Sequence, residues 1–117
     1  MKYLILTLIF SFASTITMNA QSQTPTTEQK QLLNPIVDDG FTQWGESWSY
    51  DTYISRSAKI NKITIDEDYG DIVVYGTFSY KRLTTDEGTF MAKISRSGRL
   101  ISIRYTDANG SKGSKTF

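Results

Sequence analysis

Hydrophobic and polar residues alternate most regularly along residues 71–82. Ile72, Val74, Phe78 and Tyr80 fall on one side of a period-two pattern, and polar residues are frequent on the other. The segment is also rich in β-branched and aromatic residues, which is typical of a strand. We predict that it forms the central strand of an antiparallel sheet, with its apolar side facing the core.

Shorter stretches of the same kind predict four more strands, over residues 46–54, 60–66, 89–95 and 99–106. Turn residues separate them at 55–59, 66–71, 84–88, 96–98 and 109–110, where glycine, serine and acidic residues collect. The inward residues are expected to be Trp48, Tyr50, Ile54, Ile63, Ile65, Ile72, Val74, Phe78, Tyr80, Phe90, Ala92, Ile94, Ile101, Ile103 and Tyr105. The outward residues are expected to include Ile60, Lys62, Val73, Tyr75, Lys81, Met91, Lys93, Leu100 and Arg104.

A helical pattern precedes the strands. Apolar residues recur at spacings of three and four at Leu32, Leu33, Ile36, Val37 and Phe41. Proline disfavours a helix interior but is well placed in the first turn, so Pro35 indicates one broken helix or two short ones between about residues 25 and 42. Thr24 and Pro25 are expected to start the first, Asn34 to cap the second, and Gly40 to end it.

These elements predict an α+β fold, because the apolar face of the sheet must be buried by another element. The helical segment is the only remaining one with an apolar stripe that can pack on it. We expect a short or broken N-terminal helix packed on a four- to five-stranded antiparallel meander. The outward face is partly apolar as well, which leaves a small all-β barrel or sandwich as an alternative. The layout is similar to cystatin-like and nuclear-transport-factor-like folds, a likeness of architecture that implies no function.

The N-terminal segment predicts export. Lys2 precedes an apolar run and then a polar stretch ending at Ala20, as in a secretory signal peptide. We therefore expect a bacterial periplasmic or secreted protein, with no membrane span once the signal is removed. The expected organisation is a signal peptide at 1–20, a flexible lead-in at 21–27, one α+β domain at 28–108 and a polar C-terminal tail at 109–117. Residues 111–117 of this tail are expected to be frayed or to form a weak edge strand.

The amino-acid composition limits the kinds of catalytic and binding site that the chain can form. The chain has no cysteine and no histidine, so thiol nucleophiles, histidine bases and the commonest transition-metal ligands are lacking. Its formal net charge is +1 and falls to zero without Lys2. A balanced charge argues against strong electrostatic capture of nucleic acid as its function.

Carboxylates are the remaining candidates for catalysis or metal binding. Asp38, Asp39, Asp51, Asp66 and Asp68 could supply the pair that a glycoside hydrolase needs, but spacing selects none of them. We therefore expect a non-catalytic protein without cofactors.

The acidic turn at residues 66–71 is only a weak metal candidate. Asp66, Asp68 and Asp71 could offer oxygen ligands to a calcium ion, but Gly70 stands where a third ligand belongs. A charged turn that discourages edge pairing is the favoured interpretation.

Two groups of residues are candidates for binding. Lys93, Arg96, Arg99 and Arg104 surround a predicted hairpin at Gly98, with Tyr75 on the same outward face, and could bind an anionic partner. Trp44 and Trp48 could instead contact a ligand between helix and sheet. The sequence thus predicts a small exported binding domain for an unknown protein or small ligand, with a small-ligand carrier as alternative and a carboxylate hydrolase as the least favoured.

Overall fold

The computed structural model describes residues 22–66 and 70–117, so the predicted signal peptide lies outside the described residues. One helix packs on a six-stranded antiparallel sheet that is curled into a half-barrel. The predicted α+β fold is thereby confirmed. The elements are α1 (Thr27–Gly45), β1 (Thr52–Tyr53), β2 (Lys59–Ile65), β3 (Ile72–Lys81), β4 (Thr85–Ile94), β5 (Leu100–Thr106) and β6 (Lys112–Thr116). Within the described residues, no helix is long and apolar enough to cross a membrane.

Strand β3 is the centre of the sheet, as predicted. One edge of β3 pairs with β4 along its whole length, and β5 and β6 continue the meander. The other edge pairs with β2 over residues 72–77 and with β1 at Tyr80 and Lys81. Because β3 has partners on both edges, every second side chain from Ile72 to Tyr80 is buried.

The core lies between α1 and the inner face of the sheet. Leu33, Val37 and Phe41 of α1 are fully buried against it. The Phe41 ring is at the centre of an aromatic cluster, with its centroid 4.6 Å from that of Phe78 and 5.0 Å from that of Tyr53. These contacts hold the helix over the middle of β3.

The helix is continuous, so the predicted break at Pro35 is wrong. Its N-cap is Thr26, which exchanges two hydrogen bonds with Gln29 in a capping box. Pro35 lies inside the helix at an exposed position. Asn34 does not cap a second helix, because its side-chain oxygen accepts a hydrogen bond of 2.9 Å from the backbone N–H of Ile60.

Gly40 is buried inside α1 rather than ending it. A Cβ there would overlap Cδ2 of Leu100 and lie 3.0 Å from Cδ1 of Ile103. The glycine therefore serves the close approach of the helix to β5, and the helix ends at Gly45.

Two β-bulges overturn part of the predicted inward and outward assignment. In β2 the register shifts between Ile60 and Lys62, so Ile60 faces the core and is 2% exposed, although it was predicted outward. In β5 the corresponding shift brings Leu100 against the core, and Ile101 becomes the extra, half-buried residue. A strict period of two cannot anticipate either bulge.

The segment after the helix also differs from its prediction. Residues 46–51 form turns and bends, and only Thr52–Tyr53 pair as a strand. Tyr50, predicted inward, is 80% exposed. The tip of the β3–β4 hairpin lies at residues 82–84, two residues before the predicted turn.

The two ends of the described chain join the sheet. Gln23, in the expected lead-in, pairs with Ile63 through two backbone hydrogen bonds. Of the two expectations for the polar C-terminal tail, the edge strand is the one observed: β6 pairs with β5, and the following Phe117 packs against the core. The predicted turns at Gly98 and Gly110 are confirmed, with φ values of 87° and 85°.

Candidate functional site

The outer face of the sheet, opposite α1, collects basic side chains. Outward residues that are cross-strand partners form rows across the sheet, which we call outward rows. The strand pairing therefore determines which of these side chains are neighbours. The charged residues at outward positions of β2 to β6 are six bases and one acid: Lys59, Lys62, Lys81, Lys93, Arg104, Lys112 and Glu87. This surface is strongly positive although the chain as a whole is nearly neutral.

An open groove of about 780 Å³ crosses this outer face. Its walls come from two adjacent outward rows, and the backbone of the inward row between them lies beneath it. We call it the outer groove; its lining is Asn61, Lys62, Tyr75, Gly76, Thr89, Phe90, Met91, Arg104, Tyr105, Thr106, Lys112, Gly113 and Ser114. The groove thus touches every strand from β2 to β6, a span of about 19 Å at the usual strand spacing.

Aromatic and cationic groups meet at one end of the outer groove. Tyr75 and Lys62 are cross-strand partners, and the Nζ atom of Lys62 lies 4.1 Å from the centroid of the Tyr75 ring. Across β4, Met91 pairs with both Tyr75 and Arg104. The result is an apolar strip between two exposed cations.

The cations of the outer groove have no carboxylate partner among the described residues. The one salt bridge formed within residues 22–66 and 70–117 joins Arg82 to Asp51, at 3.0 Å, beside the tip of the β3–β4 hairpin. Lys62, Arg104 and Lys112 are all exposed. Their charges are available to an anion from outside the protein.

The basic cluster predicted around Gly98 is divided by the structure. Arg104 lies in the outer groove with Tyr75, and Lys93 lies one outward row away, nearer the hairpin. Arg96 turns toward the loop before β3, where its Nε atom donates to the Gly70 carbonyl at 3.4 Å.

The hairpin itself is closed by its own hydrogen bonds. The Ser95 N–H donates to the Arg99 carbonyl at 2.8 Å, and the Arg99 N–H donates to the Ser95 hydroxyl at 3.1 Å. Arg99 is exposed beyond these bonds. Neither hairpin arginine, Arg96 or Arg99, lines the outer groove.

Trp44 and Trp48 lie on the other side of the sheet and pack against the core. Their ring centroids are 5.7 Å apart, and both rings contact Phe41 and Tyr105. Both residues are half-buried. Among the described side chains, the Trp48 indole N–H is the buried polar group that has no hydrogen-bond partner.

Two of the acids considered for catalysis, Asp38 and Asp51, are used in structural contacts, whereas Asp39 is exposed. Asp38 accepts hydrogen bonds of 2.5 Å from the Tyr53 hydroxyl and 2.6 Å from the Arg56 N–H. Burial, followed by the bond to Asp38, raises the pKa of Tyr53 well above its ordinary value of 10.0, so this phenol stays protonated. Asp51 pairs with Arg82.

The acidic turn is closed by backbone hydrogen bonds from Asp66 to Asp71 and from Gly70 to Asp66. Asp68, which also belongs to the weak metal candidate, lies outside the described residues. Within the described ranges, no three acidic side chains are grouped as a metal site.

Sequence reasoning placed Tyr75 and Arg104 on one face but missed most of the outer groove. Lys62 was expected to face outward, but its pairing with Tyr75 depends on the register of β2 and β3, which no local pattern indicates. Lys112 and Ser114 lie in a segment expected to be a tail. The chain matches no known protein family, no curated protein and no solved structure, so its residues and geometry are the only guide to its function.

Proposed function

We propose that this protein is an exported, non-catalytic binding domain whose outer groove binds an anionic partner. The observation that carries the proposal is the outer groove itself, which joins exposed cations from β2, β5 and β6 to the apolar strip of Tyr75 and Met91. Charged hydrogen bonds to such cations, combined with burial of the strip, would supply both orientation and affinity.

The contacts of the described acids support a role without catalysis. A carboxylate hydrolase needs two acids converging on a cleft, and among the described residues the outer groove contains none. Asp38 and Asp51 are engaged by Tyr53 and Arg82 instead. Export is supported by the leader-like composition of residues 1–20.

The test is a pair of charge reversals in the outer groove. The double variant Lys62→Glu and Arg104→Glu should weaken binding of fluorescent dextran sulfate by at least about tenfold, because two cations become anions. Binding is measured by fluorescence anisotropy at low ionic strength, where electrostatic contacts are least screened.

The matched control carries the same change in net charge outside the groove. Lys30→Glu with Arg99→Glu alters exposed residues of α1 and of the Gly98 hairpin, and should change the affinity by no more than about twofold. Equal losses in the two double variants would mean that net charge or the hairpin governs binding, and would contradict the proposal.

A second candidate function, a small-ligand carrier, is favoured by one observation. The buried indole N–H of Trp48 lacks an acceptor, and a ligand with a carbonyl or ether oxygen would provide one. Such a ligand should quench or shift tryptophan fluorescence in the native chain and fail to do so in Trp48→Phe. The contacts of Trp48 with Phe41 and Tyr105 make this the weaker candidate, because they already occupy much of its ring.

A further inference from the structure

We infer that the anionic partner of the outer groove is a carboxylated polysaccharide that lies across the strands. This inference rests on the proposed function and goes further, because it names the chemical class of the ligand. It depends on three features of the outer groove: its direction, its hydroxyl-rich walls and the positions of its cations.

The direction of the outer groove disfavours a peptide. An extended peptide brings an N–H and a carbonyl with every residue and normally satisfies them by pairing along a free strand edge. The groove instead crosses the strands, and the N–H and C=O groups beneath it belong to the ladders that join β3 to β4, β4 to β5 and β5 to β6. A peptide lying across them would leave its own backbone groups unpaired.

The walls of the outer groove suit a sugar chain. Asn61, Thr89, Thr106 and Ser114 present amide and hydroxyl groups, which both donate and accept hydrogen bonds. Thr89 and Thr106 are cross-strand partners, so their side chains are neighbours at the middle of the groove. Sugar hydroxyls are likewise both donors and acceptors, and can bond to these side chains without the sheet backbone.

The cations are distributed along the groove, so that a chain with several acidic groups can meet more than one of them. Lys62 on β2 and Arg104 on β5 are separated by three strand spacings, about 14 Å, and Lys112 follows on β6. Arginine binds a carboxylate with two parallel hydrogen bonds. Carboxylates at intervals along a sugar chain could therefore reach successive cations.

The aromatic content of the outer face disfavours single-stranded nucleic acid. Such ligands are held by several rings on which successive bases stack. At the outward positions of β2 to β6, Tyr75 is the single aromatic side chain, and the ammonium of Lys62 lies over its ring. One ring can stack on one sugar or base but cannot form a platform.

The experiment compares ligands of equal charge on the whole secreted chain. Tetragalacturonate, end-blocked tetraglutamate and an oligothymidylate with the same number of phosphates are titrated by isothermal calorimetry, with neutral galactan as the uncharged sugar. We expect tetragalacturonate to bind most tightly. In the double variant Thr89→Val and Thr106→Val, its affinity should fall at least about fivefold, since two hydroxyl groups are lost with little change in shape.

The control variant is Thr85→Val with Thr116→Val, which removes two exposed hydroxyls outside the outer groove and should bind tetragalacturonate as the native chain does. Thermal unfolding of each variant establishes that it is folded. If the three anions bind equally and the variant Thr89→Val with Thr106→Val keeps the native affinity, the polysaccharide inference is refuted but the proposed function is not. Tighter binding of tetraglutamate or the oligonucleotide would also overturn it. Absence of binding by every polyanion, dextran sulfate included, would refute the proposed function as well.

Discussion

Replacing Gly76 by alanine should destabilise the protein more than the same replacement at a described glycine whose surroundings are open or flexible. Gly76 lies in the middle of β3 and pairs with Ile60, at the point where β2 bulges. A Cβ at this position would overlap the carbonyl oxygen of Lys59 and lie 2.7 Å from its carbonyl carbon. It would also lie 2.8 Å from the Phe90 ring.

The expected loss in the free energy of unfolding depends on which atoms the added Cβ would overlap. Overpacking a core usually costs about 1 to 3 kcal/mol, and less when a flexible side chain can turn aside. The Lys59 carbonyl belongs to the backbone of β2, so the strand itself would have to move, and Ile60 would move with it. We therefore expect a loss at the upper end, about 3 kcal/mol, which is a large part of the stability of a domain of this size.

Urea denaturation followed by tryptophan fluorescence measures this loss, since Trp44 and Trp48 both pack against the core. Gly110→Ala is the control. Gly110 has a φ of +85° and no atom within 4 Å of an added Cβ, so its alanine variant should lose only about 1 kcal/mol from backbone strain. If Gly76→Ala proved as stable as Gly110→Ala, the close approach of β2 to β3 would be wrong.

Three other substitutions test the contacts that hold the helix and β1 in place. Phe41→Ala should lower the free energy of unfolding by about 4 kcal/mol, because it empties the centre of the aromatic cluster. Asn34→Ala should cost about 1 to 2 kcal/mol in the same urea assay, since it leaves the Ile60 N–H without its acceptor. Tyr53→Phe should cost about 1.5 kcal/mol at neutral pH through loss of the bond to Asp38. The raised pKa of Tyr53 means that the folded chain keeps its phenolic proton above pH 10.0 while the unfolded chain releases it, so the native chain should lose stability above that pH faster than Tyr53→Phe.

Exposed residues provide the controls for Phe41→Ala and Tyr53→Phe. Tyr50→Ala removes an aromatic ring that is 80% exposed and should change stability by less than about 0.5 kcal/mol. Asp39→Asn should leave the pH dependence unchanged, because Asp39 is exposed beside the Asp38–Tyr53 pair. Comparable losses in Phe41→Ala and Tyr50→Ala, or parallel stability curves for Tyr53→Phe and the native chain above pH 10.0, would contradict the described packing.

The sequence predicted those parts of the fold that depend on a single local pattern. Strand β3 is central and alternates regularly because it has partners on both edges, so its pattern of burial follows from period two. A glycine inside a strand is typical of a bulge or a close backbone contact, and Gly76 lies where β2 bulges and the Lys59 carbonyl comes near. The left-handed turn at Gly98 was likewise accessible from local chemistry.

Prediction failed where tertiary contacts outweighed a local preference. Pro35 is tolerated inside α1 because it is exposed on a helix that is anchored by Leu33 and Val37. Ile60 and Leu100 point inward because bulges shift their registers, and a bulge leaves no clear mark in a single sequence.

The candidate site was harder to predict than the fold, because it depends on which strands are neighbours. Tyr75 and Arg104 could be placed on one face from alternation alone. Lys62 and Lys112 join them only through the pairing of β2 with β3 and of β5 with β6. Residues as far apart in sequence as Lys62 and Lys112 thus form one surface, which no local motif could reveal.

The most direct test of the account is to map the bound surface by NMR on the 15N-labelled native chain during titration with a short dextran sulfate. We predict that amide shifts will concentrate in the strands that line the outer groove, at residues 61–62, 75–76, 89–91, 104–106 and 112–114. Amides of α1 and of the hairpin at 95–99 should change little. Shifts centred on the hairpin or around Trp48, or no shifts at all, would contradict the claim that the outer groove is the binding site.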